Sequence, residues 1–198
     1  VALKPFHDEA HVEPIVVSTY QATSGKGQAA VEELRAQLAA VVAGKRPEHQ
    51  VFPGQMAMNV LSDWKGGKDG YSEEELKLVH ETRKIMGDAE IGVTPTCVRV
   101  PVVTGHAESV HVRFKKPLSA ACARELLANA PGVVLVDDGE YAPGKEPQPI
   151  QAANTDPVYV GRIRDDLAVP GALNLWVVAD NLRKGAALNA VQIAELIA

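Results

Sequence analysis

Six runs rich in β-branched residues are spread along the chain, and they constrain the fold more than any other feature. They are PIVVSTY (14–20), TCVRVPVVTG (96–105), ESVHVRFK (108–115), VVLVDD (133–138), PVYVGRIRDD (157–166) and GALNLWVV (171–178). In ESVHVRFK, apolar and polar residues alternate, which predicts a strand with one buried face and one wet face. Helical segments separate the runs. We therefore expect an α+β fold, with a mixed, mainly antiparallel sheet and helices on one face.

The predicted helices differ in how clearly their ends are marked. The segment 24–47 has apolar residues at helical spacing and ends at Gly44 and Pro47, and a shorter helix is predicted over 120–130. Ser72 and Glu75 form the pattern of a capping box at the start of a further helix. Because the helices cover one face of the sheet, the other face is expected to meet a second copy of the chain or to stay unusually wet.

Composition excludes several classes of function. The 198 residues suit one domain, 46% of them are apolar, and the net charge of −5 argues against a nucleic-acid partner. No apolar run approaches the roughly 20 residues of a membrane span, and no leader segment is evident. Cys97 and Cys122 form no zinc or disulfide pattern, and we predict reduced core thiols in a cytoplasmic protein. Residues 139–156, rich in Pro and Gly at their start, are predicted to form an extended ordered loop.

Two histidine pairs have spacings that suggest a metal site, but neither pair has the further residues that such a site requires. In HDEAH, His7 and His11 have the spacing that places two ligands on one helix face, but Asp8 follows the first histidine where a metalloprotease needs Glu. No third ligand is evident, so two exposed histidines are expected. In HAESVH, His106 and Glu108 share one strand face while His111 points the other way. We therefore predict no metal site.

The stretch RVPVVTGH (99–106) contains the residues best suited to chemistry. Arg99 lies within a β-branched strand, where its charge must either be paired in the core or open into a cleft. His106 follows Gly105, and an imidazole there either takes and returns a proton in a cleft or merely ends a strand. The SGKG segment (24–27) precedes a helix and could receive a phosphate, although it lacks the spacing of a nucleotide-binding loop.

Four long segments resemble the aspartate-semialdehyde dehydrogenase family, in that family's order. They are VVSTYQATSGKG, SEEELKLVHETRKIMGD, TCVRVPVVTGHAESVHVRF and LWVVADNLRKGAALNAVQIAE. The likeness is to the C-terminal substrate-binding and dimerisation domain, which is similar to that of glyceraldehyde-3-phosphate dehydrogenases. It implies one such domain over 1–198, preceded in the family by a nucleotide-binding half and a nucleophilic cysteine. It also implies that the terminal helix, 180–198, packs on that half.

The resemblance assigns roles to five residues around the substrate. His106 would be the acid/base catalyst, Arg99 would bind the substrate α-carboxylate, and Gln21 would position the substrate. Glu74 would meet the substrate ammonium and Lys77 its phosphate, although a Glu–Lys pair at this spacing is also common on a solvated helix face. We expect the His106, Arg99 and Gln21 side chains to open into one cavity. If Arg99 were instead buried against an internal carboxylate, the proposed dehydrogenase role would rest on sequence similarity alone.

The resemblance also implies a cofactor, a partner and a reaction. Ser24, Gly25 and Asn181 would line an NADP site, most of which belongs to the nucleotide-binding half. The enzyme would convert L-aspartyl phosphate to aspartate semialdehyde in lysine, threonine, methionine and diaminopimelate biosynthesis, and it would form a homodimer through the sheet face. We expect the chain to be inactive alone. Two alternatives remain: a related acyl-phosphate reductase, such as one acting on N-acetylglutamyl phosphate, and a purely structural dimerisation module.

Overall fold

A six-stranded sheet organises the molecule in the computed structural model, which describes residues 1–197. The strands are β1 (Val12–Gln21), β2 (Val93–Arg99), β3 (His106–Phe114), β4 (Val133–Leu135), β5 (Val158–Asp165) and β6 (Leu173–Ala179). Their order across the sheet is β2-β1-β3-β6-β5-β4. The β1–β3, β3–β6 and β5–β6 pairs are antiparallel, and β1–β2 and β4–β5 are parallel. The predicted mixed, mainly antiparallel sheet is confirmed.

Six α-helices accompany the sheet in the described residues. They are α1 (Lys4–Ala10), α2 (Gln28–Val42), α3 (Glu73–Met86), α4 (Ala120–Ala128), α5 (Pro149–Ala152) and α6 (Leu188–Ile197). A 3-10 turn, Thr23–Lys26, precedes α2, and a π-helical turn, Arg183–Ala187, precedes α6. The predicted terminal helix therefore begins with a wider turn, and its last residue, Ala198, lies outside the described residues. No described helix has the length and apolar character needed to cross a membrane.

The main core lies between one face of the sheet and the helices α1 and α4. Phe6 of α1 and Leu127 of α4 are fully buried against strand residues such as Val112, Val160 and Leu173. Burying each side chain of this size contributes about 2 kcal/mol to folding. Met86 at the end of α3 packs at the edge of the same core. The helices that pack on the sheet core therefore lie on one face, as predicted.

The opposite face of the sheet is largely uncovered. Val16 and Tyr20 of β1 are 47% and 37% exposed, and the Tyr20 ring packs on Trp176 with 5.3 Å between centroids. Ser109 of β3 pairs with Ser18 on one side and with Trp176 on the other. We call these five residues the open sheet face. Residues 147–152, which include the short helix α5, cover one end of this side, where the Trp176 indole N–H donates to the Pro147 carbonyl at 2.9 Å and Ala152 packs on the sheet.

Helix α2 packs away from the sheet, on the irregular connection that follows it. Leu34 of α2 is buried with Phe52 and Met56 in a second, smaller core. The buried Gln37 side chain accepts hydrogen bonds from the Met56 and Ala57 N–H groups at 2.7 and 3.0 Å. The connection between α2 and α3 contains no helix or strand, yet it has a core of its own.

Two boundaries near Gly105 differ from the prediction. Strand β2 ends at Arg99 and does not continue to Gly105, because Pro101 cannot donate a ladder hydrogen bond. His106 is consequently the first residue of β3. Gly105 has a φ of 95°, and a Cβ at this position would lie 2.9 Å from the Pro149 carbonyl oxygen. A glycine is therefore needed in the turn that delivers His106.

Candidate active site

A cavity of about 600 Å³ opens where the ends of β1, β2, β3 and β6 meet α3 and the 3-10 turn. Seven of the eight residues that the sequence predicts for the site line it: Gln21, Gly25, Glu74, Lys77, Arg99, His106 and Asn181. The eighth, Ser24, hydrogen-bonds Asn181. The expected shared cavity for His106, Arg99 and Gln21 is therefore present.

The capping box places α3 over the cavity. The Ser72 hydroxyl accepts from the Glu75 N–H at 3.3 Å, and the Glu75 carboxylate accepts from the Ser72 N–H at 2.8 Å, so the predicted cap is confirmed. The second oxygen of Glu75 accepts from the Cys97 N–H of β2 at 3.0 Å. Helix α3 is thereby fixed to the edge strand. Glu74 and Lys77, on its first turns, are aimed at the cavity as a result.

His106 presents an N–H, and no lone pair, to the cavity. Its Nδ1 accepts a hydrogen bond from the Ala22 backbone N–H at 3.0 Å, so the neutral ring carries its proton on Nε2. Burial and, as the second cause, the nearby Arg99 guanidinium together lower the pKa of His106 from 6.5 to about 4. At neutral pH the imidazole is therefore uncharged and acts first as a donor through Nε2.

Arg99 is buried, at 4% exposure, and paired in the interior, yet it also lines the cavity. Its Nε lies 3.3 Å from the buried Asp63 carboxylate, its Nη1 donates to the Ala22 carbonyl at 2.8 Å, and its guanidinium packs over Trp64. The buried ion pair, predicted as the alternative to a substrate-binding role, is thus present together with the cavity. Asp63 also pairs with Lys26 at 2.9 Å. Two cations share one carboxylate, so the group keeps a net positive charge.

Gly25 allows the close approach of these two side chains. A Cβ on Gly25 would lie 3.2 Å from Arg99 Nη1 and 3.5 Å from His106 Nε2. A side chain at this position would therefore occupy the space between the guanidinium and the imidazole.

The polar side chains of the cavity form two further groups of contacts. Gln21 Nε2 donates to Glu74 at 3.2 Å, and Lys77 Nζ lies 3.8 Å from the same carboxylate. Asn181 Nδ2 donates to the Ser24 hydroxyl at 3.0 Å, and Asn181 Oδ1 accepts from the Gly105 N–H at 2.9 Å. The predicted substrate-binding and cofactor-binding residues therefore form two neighbouring groups beside His106.

Three residues in or next to the cavity were not predicted. Asp63 and Trp64 come from the irregular connection, where no local pattern indicates that they reach Arg99. Glu108 lies on the wall two residues after His106, and burial raises the pKa of its carboxyl group. The strand alternation that places Glu108 on the His106 face was a signal available in the sequence.

The two cysteines lie in different environments. Cys97 is buried in β2, and desolvation raises the pKa of its thiol to about 11, which agrees with a packing role. Cys122 is exposed on α4, so the prediction that it is a core thiol is wrong. Helix α4 turns Ala123 and Leu127 to the core, and Cys122 lies on its outer side.

The prediction of two exposed histidines in HDEAH is also wrong. The His7 side chain is only 11% exposed, and the 38% exposed His11 lies 3.2 Å from Asp88, beyond the end of α3. One nitrogen or oxygen of each of these three side chains lies within 4.8 Å of the others. Sequence spacing could not reveal the third member, because Asp88 is distant along the chain.

A second cavity of about 620 Å³ lies between the residues that follow β4 and strand β5. It contains none of the predicted site residues. Its charges are largely satisfied internally, since Arg124 pairs with Asp137 at 2.9 Å and Lys145 with Asp138 at 3.2 Å. Although similar in volume to the first, it offers no comparable set of acid, base and anion-binding groups.

Comparison with known proteins gives a family consistent with this geometry. The family described as semialdehyde dehydrogenase, dimerisation domain, matches residues 3–184. The chain belongs to this family. Over its whole length it is 52% identical to the aspartate-semialdehyde dehydrogenase of Legionella pneumophila and covers 57% of that protein. The predicted likeness to the C-terminal part of such enzymes is confirmed.

Solved structures show the same fold in members of the semialdehyde dehydrogenase family. Aspartate semialdehyde dehydrogenase II of Vibrio cholerae, complexed with ASA, is 45% identical with a TM-score of 0.94, and the match covers 100% of this chain and 58% of that one. An aspartate semialdehyde dehydrogenase from Candida albicans with NADP, 23% identical with a TM-score of 0.70, shares the fold; the match covers 99% of this chain and 53% of that one. The chain thus spans rather more than half the length of the relatives it matches.

Proposed function

We propose that this chain is the substrate-binding and dimerisation part of an NADP-dependent aspartate-semialdehyde dehydrogenase. The reaction converts L-aspartyl phosphate, NADPH and a proton to L-aspartate 4-semialdehyde, NADP and phosphate. The observation that carries the proposal is the single cavity lined by His106, Arg99, Gln21, Glu74 and Lys77. The names of the relatives favour the aspartyl substrate over N-acetylglutamyl phosphate.

The charges around the cavity suit an anionic amino-acid phosphate. Arg99 Nη2 donates to no described residue, and together with Nη1 it presents an edge that can bind a carboxylate through two hydrogen bonds. Glu74 offers a carboxylate for the substrate ammonium, and Lys77 offers a cation for its phosphate. Gln21, held by Glu74, orients the group that reacts.

His106 enters the chemistry as a neutral hydrogen-bond donor. Its Nε2–H donates to the oxygen or sulfur atom that gains negative charge, while the Ala22 N–H fixes the ring through Nδ1. To act as the base that deprotonates a thiol, the neutral ring must present the lone pair of Nε2, which requires the other tautomer, with the proton on Nδ1 and the contact from the Ala22 N–H opened. NADPH supplies the hydride when bound, and Gly25 and Asn181 form the part of its site that lies in this chain.

We infer that residues 1–198 are inactive alone, because neither cysteine suits a nucleophile for this cavity. The Cys97 thiol is buried and its pKa is raised to about 11, and Cys122 lies on α4, away from the cavity lining. We expect the nucleophile to lie in the half that precedes this domain in enzymes of the family.

Kinetics of the full-length protein that contains this chain test the proposal. His106→Asn should lower kcat by roughly 10² with little change in KM. Arg99→Lys should mainly raise the KM for aspartate semialdehyde, because a point charge cannot replace the two-pronged contact. The control is His80→Asn, on the exposed side of α3. Wild-type kinetics for both variants, or a preference for N-acetylglutamate semialdehyde, would contradict the assignment.

We also propose that the chain forms a homodimer through the open sheet face. The family description names a dimerisation domain, and Val16 and Tyr20 expose apolar surface in the middle of a sheet. Sedimentation should show a dimer at micromolar concentration, and Val16→Lys should shift it to monomer. Leu167→Lys, at a fully exposed position in the turn between β5 and β6 and outside the open sheet face, serves as the charge-matched control. An unchanged dimer in Val16→Lys would place the interface elsewhere.

A further inference from the structure

Three side chains outside the cavity form a cluster that the proposed reaction does not use. His7 lies on α1, His11 follows the end of α1, and Asp88 follows the left-handed Gly87 that ends α3. The two imidazole rings are 4.7 Å apart between centroids and tilted by 35°. Two segments distant in sequence thus bring two nitrogen donors and one carboxylate to the same place.

The carboxylate of Asp88 is oriented by its own loop. Its Oδ1 accepts from the Glu90 N–H at 2.9 Å, which leaves Oδ2 directed at the histidines. Oδ2 lies 3.2 Å from His11 Nε2 and 4.0 Å from His7 Nε2. The Asp88 Oδ2 atom is therefore held in position beside both imidazole rings.

The His7 imidazole lacks the partners that a buried ring normally has. Its Nδ1 is buried without a hydrogen-bond partner among residues 1–197, and its Nε2 is beyond hydrogen-bond distance of Asp88. Buried polar groups without partners are uncommon and destabilising. A metal ion could therefore bind a nitrogen of this ring without displacing a hydrogen bond to any described residue.

We propose that His7, His11 and Asp88 bind one divalent ion of the zinc class. Two imidazole nitrogens with one carboxylate suit Zn²⁺, Co²⁺ or Ni²⁺, whereas Mg²⁺ and Ca²⁺ require mainly oxygen ligands. In a tetrahedral zinc site the ligand atoms lie about 3.4 Å apart. The three candidate atoms already lie within 4.8 Å of one another, so small side-chain movements complete the site, and water fills the remaining position.

The ion would join the two helices that flank the cavity. Residues just before α1 line the cavity together with much of α3, and the cluster lies at the C-terminal ends of both helices. Metal binding would fix the position of α3 relative to α1. Its effect should therefore appear in the stability of the fold, independently of whether the proposed reaction is correct.

Calorimetric titration of the untagged, chelator-treated chain with Zn²⁺ tests the site. We expect one ion per chain, and we expect His11→Asn and Asp88→Asn each to weaken binding at least tenfold. Asn is chosen at His11 because that residue has a φ of 56°, which Asn tolerates. His80→Asn, an exposed histidine on α3, is the matched control and should bind like the wild type.

Two further measurements separate this site from binding by thiols. Zn²⁺ should raise the Tm of the wild type but not of His11→Asn, a chelator should reverse the effect, and Mg²⁺ should have none. Co²⁺ should give the visible absorption of a nitrogen–oxygen site without a thiolate band. Equal affinity in wild type and both cluster variants, a thiolate band lost in Cys122→Ser, or an absence of Zn²⁺ binding would each overturn the proposal.

Discussion

The burial of His106 predicts a particular dependence of folding stability on pH. Because burial and Arg99 lower its pKa from 6.5 to about 4, the unfolded chain binds a proton in this interval that the folded chain does not. The contribution of the neutral ring is fully present above pH 6.5 and is lost as the pH falls towards 4. One pKa unit corresponds to about 1.4 kcal/mol, so the complete loss is about 3 kcal/mol.

Urea unfolding of the wild type, His106→Asn and His80→Asn between about pH 4 and 7 measures this term. Asn cannot titrate, and its Oδ1 can accept from the Ala22 N–H in place of Nδ1. Carboxyl groups titrate in all three proteins and therefore cancel in the differences. The unfolding free energy of the wild type should fall relative to His106→Asn as the pH decreases, while His80→Asn should follow the wild type.

Parallel curves for the wild type and His106→Asn would refute the reasoning. They would mean that the folded and unfolded chains bind the proton equally well, and hence that the imidazole is not held in a desolvated site beside Arg99. The assignment of a neutral donor ring at neutral pH would then fail as well.

Three further predictions concern the fold itself. Gly105→Ala should destabilise the chain more than Gly144→Ala, because both glycines have positive φ but only at Gly105 would the new methyl group meet the backbone of α5. Urea unfolding should show a difference of about 1–3 kcal/mol in the unfolding free energy. Equal losses in the two variants would argue against that contact. Leu127→Ala should cost about 2–5 kcal/mol in the same assay, because the side chain is fully buried; a cost below 1 kcal/mol would show a loosely packed core. A thiol reagent should modify Cys122 in the native chain but Cys97 only after unfolding, and equal rates, measured by mass spectrometry, would contradict the buried position of β2.

The elements with strong local signals were predictable from the sequence. Apolar runs located all six strands, and Ser72 with Glu75 marked the start of α3. The resemblance to the aspartate-semialdehyde dehydrogenase family identified most of the residues that line the cavity. Contacts between distant segments, such as Asp63 with Arg99 or Asp88 with His11, could not be predicted, because no local sequence pattern indicates them.

Errors arose where local and tertiary preferences compete. The run TCVRVPVVTG suggested one long strand, yet Pro101 ends the ladder, and His106 begins a new strand. Helix α2 has an apolar stripe suited to the sheet, but that stripe packs instead on the connection containing Phe52 and Met56. The exposed position of Cys122 depends on the rotation of α4, which a nine-residue segment leaves loosely defined.

Asp63, which pairs with both Arg99 and Lys26, influences the electrostatic potential of the cavity from a segment that has no regular secondary structure. Asp63 neutralises part of the charge of Arg99 and Lys26 without lining the cavity itself. An alteration in this segment could therefore change the attraction for anions while leaving every wall residue in place. Evolution could tune substrate affinity here by replacing a residue that the substrate never touches.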